Sequence, residues 1–209
     1  MQITSQVGPV VSLASAAAGT VIPVRAGNMG DTIVSELQGR YYENAYRRNT
    51  FAAYAGGVAA SVAGTAMVGL ILWNGSTTVN AVLKKTSGYI AVTSATTTGI
   101  VLGVQSGQPS APTGTTAITA QKATYIGNGS NGLCTAYNAG TVVTAPTPIL
   151  NLMHNTAAIG TTGEDAGWNM DLEGSIIVPP QTYAVIYAVG AATAAGALYA
   201  SLMWDEIPV

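Results

Sequence analysis

The chain has 209 residues and a formal net charge of −2, with 8% charged and 48% hydrophobic side chains. This length suits one all-β domain, and an acidic chain without a repeated basic run argues against nucleic acid as the main partner. So few charges protect a free monomer poorly against association. The composition therefore predicts a surface that is largely covered by partners. The alternative is an ordinary soluble sandwich whose Thr and Ser hydroxyls keep the surface hydrated.

Cysteine and histidine each occur once, as Cys134 and His154. One cysteine cannot form an internal disulfide and one histidine cannot build a multi-histidine metal site, so we interpret both as core or loop residues. The first ten residues lack a charged region ahead of an apolar run, so no secretory signal is predicted. We expect the protein to be made and assembled in a cytoplasm.

The N-terminal quarter is predicted to be an arm. Residues 1–30 are apolar and interrupted by Gly and Pro, which favours an extended segment, and residues 31–38 favour a short helix that ends at Gly39. Gly39–Tyr54 then concentrates four tyrosines, three arginines and the only phenylalanine. Tyr and Arg are typical of contact surfaces, and the alternative is a strand or turn fixed to the body by stacked tyrosines. We place the arm at residues 1–56.

Residues 57–209 read as strands separated by turns. Val58–Trp73 and Thr77–Lys85 flank Asn74–Gly75, a tight-turn dipeptide, which predicts a hairpin. Lys84–Lys85, at the end of the second strand, indicate an edge protected against further pairing. Four further segments of strand character follow: Tyr89–Gln105, broken near residues 97–99, then Thr115–Ile126, Thr141–Met153 and Asp171–Val178.

The C-terminal segment has no charge between Glu173 and Asp205, a length that could suit a membrane span. Pro179–Pro180 and an Ala/Gly-rich middle favour strands instead, Thr182–Val189 and Ala197–Ile207, predicted to pair antiparallel. With about eight strands, the sequence predicts an all-β, jelly-roll-like antiparallel β-sandwich, preceded by an extended N-terminal arm that contains a short helix.

The charges are distributed unevenly along the chain. Every arginine lies before residue 49, whereas residues 164–209 hold six acids and no base. Arginine makes directional, multidentate contacts at interfaces, so this asymmetry favours docking between chains or onto a scaffold. Pairing of the same groups within one chain is the alternative.

No catalytic constellation, cofactor site or metal site is predicted. Gly127–Gly132 matches a dinucleotide-binding spacing, but neither a following helix nor an acid at the required distance occurs. Asp205 and Glu206 are adjacent on a strand and should point to opposite faces, unlike the facing carboxylates of a glycosidase. The remaining C-terminal carboxylates are interpreted as a solvated acidic rim rather than a cation site: Glu164, Asp165, Asp171 and Glu173.

Both ends of the chain carry motifs that resemble a family. Gly39-Arg40-Tyr41-Tyr42-Glu43 precedes the all-β body, and Trp204-Asp205-Glu206-Ile207-Pro208 follows an Ala-rich strand. The chain resembles a group of tailed-bacteriophage structural proteins with a Gly-Arg-Tyr-Tyr-Glu block near the start and a Trp, two acids, an aliphatic residue and Pro at the end. The middle of the chain is similar only in its general composition, with Thr-, Ala- and Gly-rich strands and an Asn-containing turn. The resemblance implies a virion component, a jelly-roll homotrimer that decorates or cements a capsid.

We therefore expect a non-enzymatic capsid decoration protein that bridges capsomers, with itself and the major capsid protein or other virion proteins as partners, and neither nucleic acid nor membrane. One alternative is a tail, baseplate or fibre component that binds host glycan, which would require an exposed Trp168. Another is a polysaccharide-active enzyme, which would require two facing carboxylates. The expected contact residues are Arg40, Tyr41, Tyr42, Arg47, Arg48 and Trp204.

Overall fold

The structure is a computed structural model that describes residues 41–59, 62–63, 65–91, 99–118, 122–124, 131–154, 166–189 and 197–209. A compact unit runs from Glu43 to Val209. The helix expected at residues 31–38, the Gly39–Arg40 pair, most of the Gly127–Gly132 loop, and Glu164 and Asp165 lie outside the described residues.

One short helix and twelve strands make up the described part of the chain. They are α1 (Tyr42–Tyr46), β1 (Thr50–Ala59), β2 (Val62–Ala63), β3 (Ala66–Asn74), β4 (Val79–Ala91), β5 (Gly99–Ser106), β6 (Thr113–Ala117), β7 (Lys122–Ala123), β8 (Thr135–Thr141), β9 (Thr147–His154), β10 (Ala166–Val178), β11 (Thr182–Ala188) and β12 (Ala197–Pro208).

The strands form two antiparallel sheets. The first sheet has the order β10-β4-β12-β1-β7, and the second has the order β6-β8-β3-β11-β5-β9, with β2 against β3. Without β2, β6, β7 and β8, the first sheet has the order β10-β4-β12-β1 and the second has the order β3-β11-β5-β9. Two facing four-stranded sheets with these orders form a jelly-roll-like sandwich. The predicted all-β sandwich is confirmed, and the four remaining strands are additions at the β1 and β3 sides of the sheets.

The interior between the sheets is lined by apolar side chains that alternate with outward-facing ones along each strand. Leu70, Leu83, Ile186, Leu202 and Trp204 are all at most 2% exposed there. The central strand β11 is buried along its whole length. Burial on both faces explains the apolar sequence of β11. No helix in the described residues is long and apolar enough to span a membrane.

A second apolar cluster lies on the outer face of the second sheet. It includes Tyr183, Val185 and Tyr187 of β11, and part of it is covered by the segment between β8 and β9. The Tyr183 hydroxyl donates to the carbonyl of Thr144 in that segment, at 2.5 Å. Burial raises the pKa of Tyr183, so it remains a neutral donor. The chain therefore covers this part of the second sheet's outer face itself.

The predicted hairpin at Asn74–Gly75 is wrong, because β3 belongs to the second sheet and β4 to the first. The Asn74 side chain is buried and Nδ2 donates to the carbonyls of Val79, at 2.8 Å, and Val178, at 2.9 Å. Its Oδ1 accepts from the amide of Ser76, at 3.1 Å. These bonds turn the chain from one sheet to the other instead of folding it back within one sheet.

We expect Asn74→Ala to lower the free energy of unfolding by about 2 kcal/mol, because the Val79 and Val178 carbonyls lose a buried donor. Urea titration followed by tryptophan fluorescence measures the change. Asn151→Ala, at an exposed position of β9, is the matched control and should stay within about 0.5 kcal/mol of the wild type. Equal losses of stability in the two variants would contradict the role of Asn74 in turning the chain from one sheet to the other.

The two C-terminal strands are not partners of each other. β11 lies between β3 and β5 in the second sheet, whereas β12 lies between β1 and β4 in the first. The expected antiparallel pair is therefore wrong, because each strand completes a different sheet.

The first sheet includes residues that the sequence assigned to the arm. β1 pairs with β12 from Thr50, opposite Asp205, to Ala59, opposite Ala197. Residues 50–56 are therefore part of the sandwich and not of the arm.

Lys84 and Lys85 do not protect an edge, because β4 lies between β10 and β12. The outer strand is β10, which carries an irregularity between Asp171 and Ile176 with a positive φ at Glu173 and Gly174. A bulge with nearby carboxylates is a common protection of a sheet edge.

Candidate functional site

The terminal segment Trp204–Glu206 lies inside the molecule. Trp204 is fully buried, Asp205 is 1% exposed and Glu206 is 7% exposed. The Trp204 ring stacks on Phe51 of β1, with ring centroids 6.1 Å apart. Trp204 was expected to be a contact residue, but its side chain lies in the core of its own chain because β12 is an inner strand of the first sheet. It is therefore not available at the surface.

The Asp205 side chain contacts residues of three elements, α1, β1 and β4. Its Oδ1 accepts from the Thr50 hydroxyl of β1 at 2.6 Å, and its Oδ2 accepts from Asn44 Nδ2 of α1 at 2.6 Å. Lys84 Nζ of β4 lies 2.9 Å from the same Oδ2. The carboxylate therefore fastens α1 and the start of β1 to the centre of the first sheet.

Glu206 joins the first sheet to the segment that leads into β8 of the second. Its Oε2 accepts from the Leu133 amide at 2.8 Å and its Oε1 from the Cys134 amide at 2.9 Å. The Trp204 indole Nε1 lies 3.3 Å from Oε1 and donates to it. A Cβ at Gly132 would come within 2.3 Å of Oε1, so the close approach of this segment depends on glycine.

Asp205 and Glu206 share none of these hydrogen-bond partners, and each carboxylate is occupied by donors of its own chain. Their arrangement is that of two separate structural anchors. It does not provide the facing pair of carboxylates that acid and base catalysis of glycoside cleavage requires.

Cys134 is buried beside Glu206, and the prediction of a core or loop position agrees with its place in the core cluster. Burial and the neighbouring Glu206 carboxylate raise the pKa of the Cys134 thiol well above its usual range. The reactive thiolate is therefore scarce at neutral pH.

We expect Cys134 to resist a thiol reagent such as iodoacetamide while the protein is folded, and to react at the normal rate in urea. Mass spectrometry of the labelled protein over time measures both rates. Because the thiolate fraction falls when the pKa rises, labelling of the native protein should also stay slow up to pH 9. Native labelling as fast as that of the unfolded chain would contradict this placement.

The expected contact residues near α1 have different positions. Tyr41 is partly buried, Tyr42 is 44% exposed, and Arg47 and Arg48 are exposed in the turn after the helix, whereas Arg40 is outside the described residues.

The helix end has its own stabilising contacts. Arg48 has a φ of 65°, and its amide donates to the Ala45 carbonyl at 3.0 Å. The Asn49 amide donates to the Asn44 carbonyl at 3.0 Å. This left-handed turn ends the helix and leaves Tyr46, 51% exposed, and the two arginines at the surface.

A tyrosine row crosses the outer face of the first sheet; we use this name for Tyr54 of β1, Tyr199 of β12 and Tyr89 of β4. Tyr89 and Tyr199 are direct strand partners whose rings stack at 4.6 Å with an interplanar angle of 5°. Tyr54 and Tyr199 have ring centroids 6.5 Å apart. Tyr54 is 55% exposed and Tyr89 is 39% exposed. The three rings therefore present a continuous aromatic surface.

Sequence reasoning did not find this row. Tyr54, Tyr89 and Tyr199 are far apart in the chain, and only the register of β1, β12 and β4 brings them together. The only available signal was the alternation of faces along each strand, since a residue next to a buried one points outward. The buried neighbours of the three tyrosines are Ala53, Ala55, Ile90, Leu198 and Ala200.

Other candidate groups do not assemble into a site. The described residues contain no cluster of three or more His, Cys, Asp or Glu side chains that could hold a metal ion. Asp171 Oδ1 accepts from the Glu173 amide at 3.0 Å, a local turn at the β10 bulge. Trp168 is 8% exposed, and its indole donates to the Thr86 hydroxyl inside the sandwich at 3.1 Å.

Comparisons with known proteins give no relative: no family model, no curated protein and no solved structure matches the chain.

Proposed function

We propose that the chain is a non-enzymatic virion structural protein of a tailed bacteriophage. In this proposal it is a capsid decoration or cement protein that associates with itself as a homotrimer and stabilises the head by bridging capsomers. The jelly-roll-like strand order supports the proposal, since viral capsid domains use this architecture. The same architecture serves other functions, so the function has to be inferred from the surface residues of this chain.

The tyrosine row is the observation that carries the proposal. It offers large, rigid aromatic area with polar hydroxyls, and tyrosine is enriched in protein contact surfaces. A hydrogen bond between Ser87 and Ser201, at 2.7 Å, lies beside it and adds two uncharged polar groups to the same face. Such a patch favours a partner that is also poor in charge, as another copy of this chain would be.

Burial of the tyrosine row against a neighbour is the proposed mechanism of stabilisation. Each square ångström of apolar area removed from water contributes about 25 cal/mol, from which the cost of association is subtracted. The exposed helix end, with Tyr46, Arg47 and Arg48, would add directional contacts to an acidic partner surface.

A second candidate is a tail, baseplate or fibre component that binds host surface glycan. Exposed aromatic rings beside hydroxyl groups favour it, and lectin domains share the architecture. The version of this hypothesis that used Trp168 loses its support, because Trp168 is enclosed between the sheets.

The test is a triple variant, Tyr54→Ser, Tyr89→Ser and Tyr199→Ser, compared with the wild type. Sedimentation velocity measures association, and co-sedimentation measures binding to capsids of the same phage assembled without this chain. We expect the triple variant to bind at least about tenfold more weakly, since three contact tyrosines are lost. Val143→Ser with Ile149→Ser removes exposed apolar groups elsewhere and should leave binding unchanged.

Capsid binding by the triple variant at wild-type strength would contradict the proposal. So would a wild type that remains monomeric and ignores capsids. Binding of host surface polysaccharide that depends on the tyrosine row, without capsid binding, would favour the second candidate.

A further inference from the structure

The side chains of Lys84, Asn44 and Asp205 meet beneath α1. The Lys84 amine and the Asn44 carboxamide both contact Oδ2 of Asp205, at 2.9 Å and 2.6 Å. The side chain of Lys84 is 17% exposed and that of Asp205 is 1% exposed, so little water reaches them. The Thr50 hydroxyl holds the other carboxylate oxygen at 2.6 Å and fixes its orientation.

These groups are a nucleophile, an electrophile and a proton carrier. A lysine amine becomes a nucleophile when it loses its proton, and a carboxylate beside it can accept that proton. A carboxamide resists attack in water, but reacting groups that are held together and well oriented can reach effective concentrations of about 10⁵–10⁸ M. The shared contact with Asp205 Oδ2 brings the amine and the carboxamide next to each other. Such an arrangement can exchange one amide for another.

We propose that Lys84 and Asn44 form an intramolecular isopeptide bond, with Asp205 as the proton relay. Asp205 accepts a proton from the Lys84 ammonium, and the neutral Nζ attacks Cγ of Asn44. The Nζ–Cγ bond forms and the Cγ–Nδ2 bond breaks, while Asp205 carries a proton from Nζ to the departing nitrogen.

The reaction balances without an oxidant, reductant or co-reactant. An ammonium and a primary amide become a secondary amide and one ammonium ion, and Asp205 ends as the carboxylate with which it began. Folding alone supplies the geometry, so the bond would form autocatalytically in each chain.

The bond would tie α1 to β4, 40 residues further along the chain, and close a loop that contains β1 and β3. It would make covalent the attachment of the segment that leads into the sandwich. This inference depends on the Asp205 contacts alone, so it holds or fails independently of the proposed virion function.

The test is intact-mass spectrometry of the purified full-length chain after denaturation. We expect the wild type to be lighter than its sequence by the mass of one ammonia molecule, and a protease digest to contain a peptide pair joined between Asn44 and Lys84. Lys84→Arg keeps the positive charge beside Asp205 but lacks the amine, so it should show the full sequence mass. Lys85→Arg, one residue away, should retain the loss of ammonia.

Asp205→Asn provides a second arm, because it keeps the shape of the side chain and removes the proton carrier. Circular dichroism establishes that the variant is folded, and a folded Asp205→Asn at full mass is expected. A wild type at its full sequence mass after prolonged incubation under native conditions would overturn the proposal. An ammonia loss that persists in Lys84→Arg would overturn it as well, since it would arise from another reaction, such as succinimide formation at an Asn–Gly pair.

Discussion

Replacement of Asp205 with alanine is expected to lower the free energy of unfolding by about 3–5 kcal/mol, because it removes one partner of a buried ion pair. In a chain that has not formed the proposed Asn44–Lys84 bond, Lys84 loses its counter-charge, and Thr50 and Asn44 lose their acceptor at the same time. A chain that forms the bond in the wild type would also lose it in this variant, because Asp205 is the proposed proton relay. Urea unfolding followed by circular dichroism measures the loss.

Asp171→Ala is the matched control for Asp205→Ala. Asp171 is an exposed carboxylate on the outer strand β10, so its removal should cost no more than about 1 kcal/mol. If both aspartate variants lost the same stability, Asp205 would not be the anchor that its contacts indicate.

Trp204→Ala is expected to cost about 3–5 kcal/mol as well, for a different reason. The indole is fully buried and stacks on Phe51, so its removal leaves a cavity in the main core. It also deprives the buried Glu206 carboxylate of the indole donor. The unfolding midpoint in urea or heat gives the measurement.

Trp204→Phe separates the two contributions of the tryptophan. It keeps most of the ring area beside Phe51 and removes the indole N–H, so a loss of about 1–2 kcal/mol is expected. A Trp204→Ala variant within 1 kcal/mol of the wild type, on the scale of an ordinary surface substitution, would contradict the buried position.

The sequence predicted the fold class because strand signals are local. Alternating apolar residues, β-branched runs and Gly, Pro and Asn turns mark most of the strands, and the all-β sandwich follows from them. Pairing is not local. The Asn74–Gly75 turn became a corner between sheets because the Asn74 side chain reaches Val178, 104 residues away, and no local pattern reports that contact.

The terminal Trp204-Asp205-Glu206 motif shows the same limit for the candidate site. The motif was part of a family resemblance, and Trp204 was expected to be a contact residue. The structure places β12 between β1 and β4, and this position buries all three side chains. Their donors come from α1, β1, β4 and the segment before β8. The structural role of the motif therefore follows from the fold and not from the local sequence.

The exposed residues were predictable in part. The concentration of Tyr and Arg around α1 indicated a surface, and Tyr42, Arg47 and Arg48 are exposed, although whether they contact a partner stays a prediction. The tyrosine row was not predictable, since its members come from three strands whose register depends on a bulge in β1 and another beside Trp204.

Hydrogen exchange at the amides of Leu133 and Cys134 tests most directly the claim that the terminal segment is an internal anchor. Both amides donate to Glu206, so NMR should show slow exchange in the wild type. In Glu206→Ala these two amides should exchange at least about tenfold faster, while those of the central strand β11 change less. Fast exchange of both amides in the wild type, or unchanged protection in Glu206→Ala, would contradict the account.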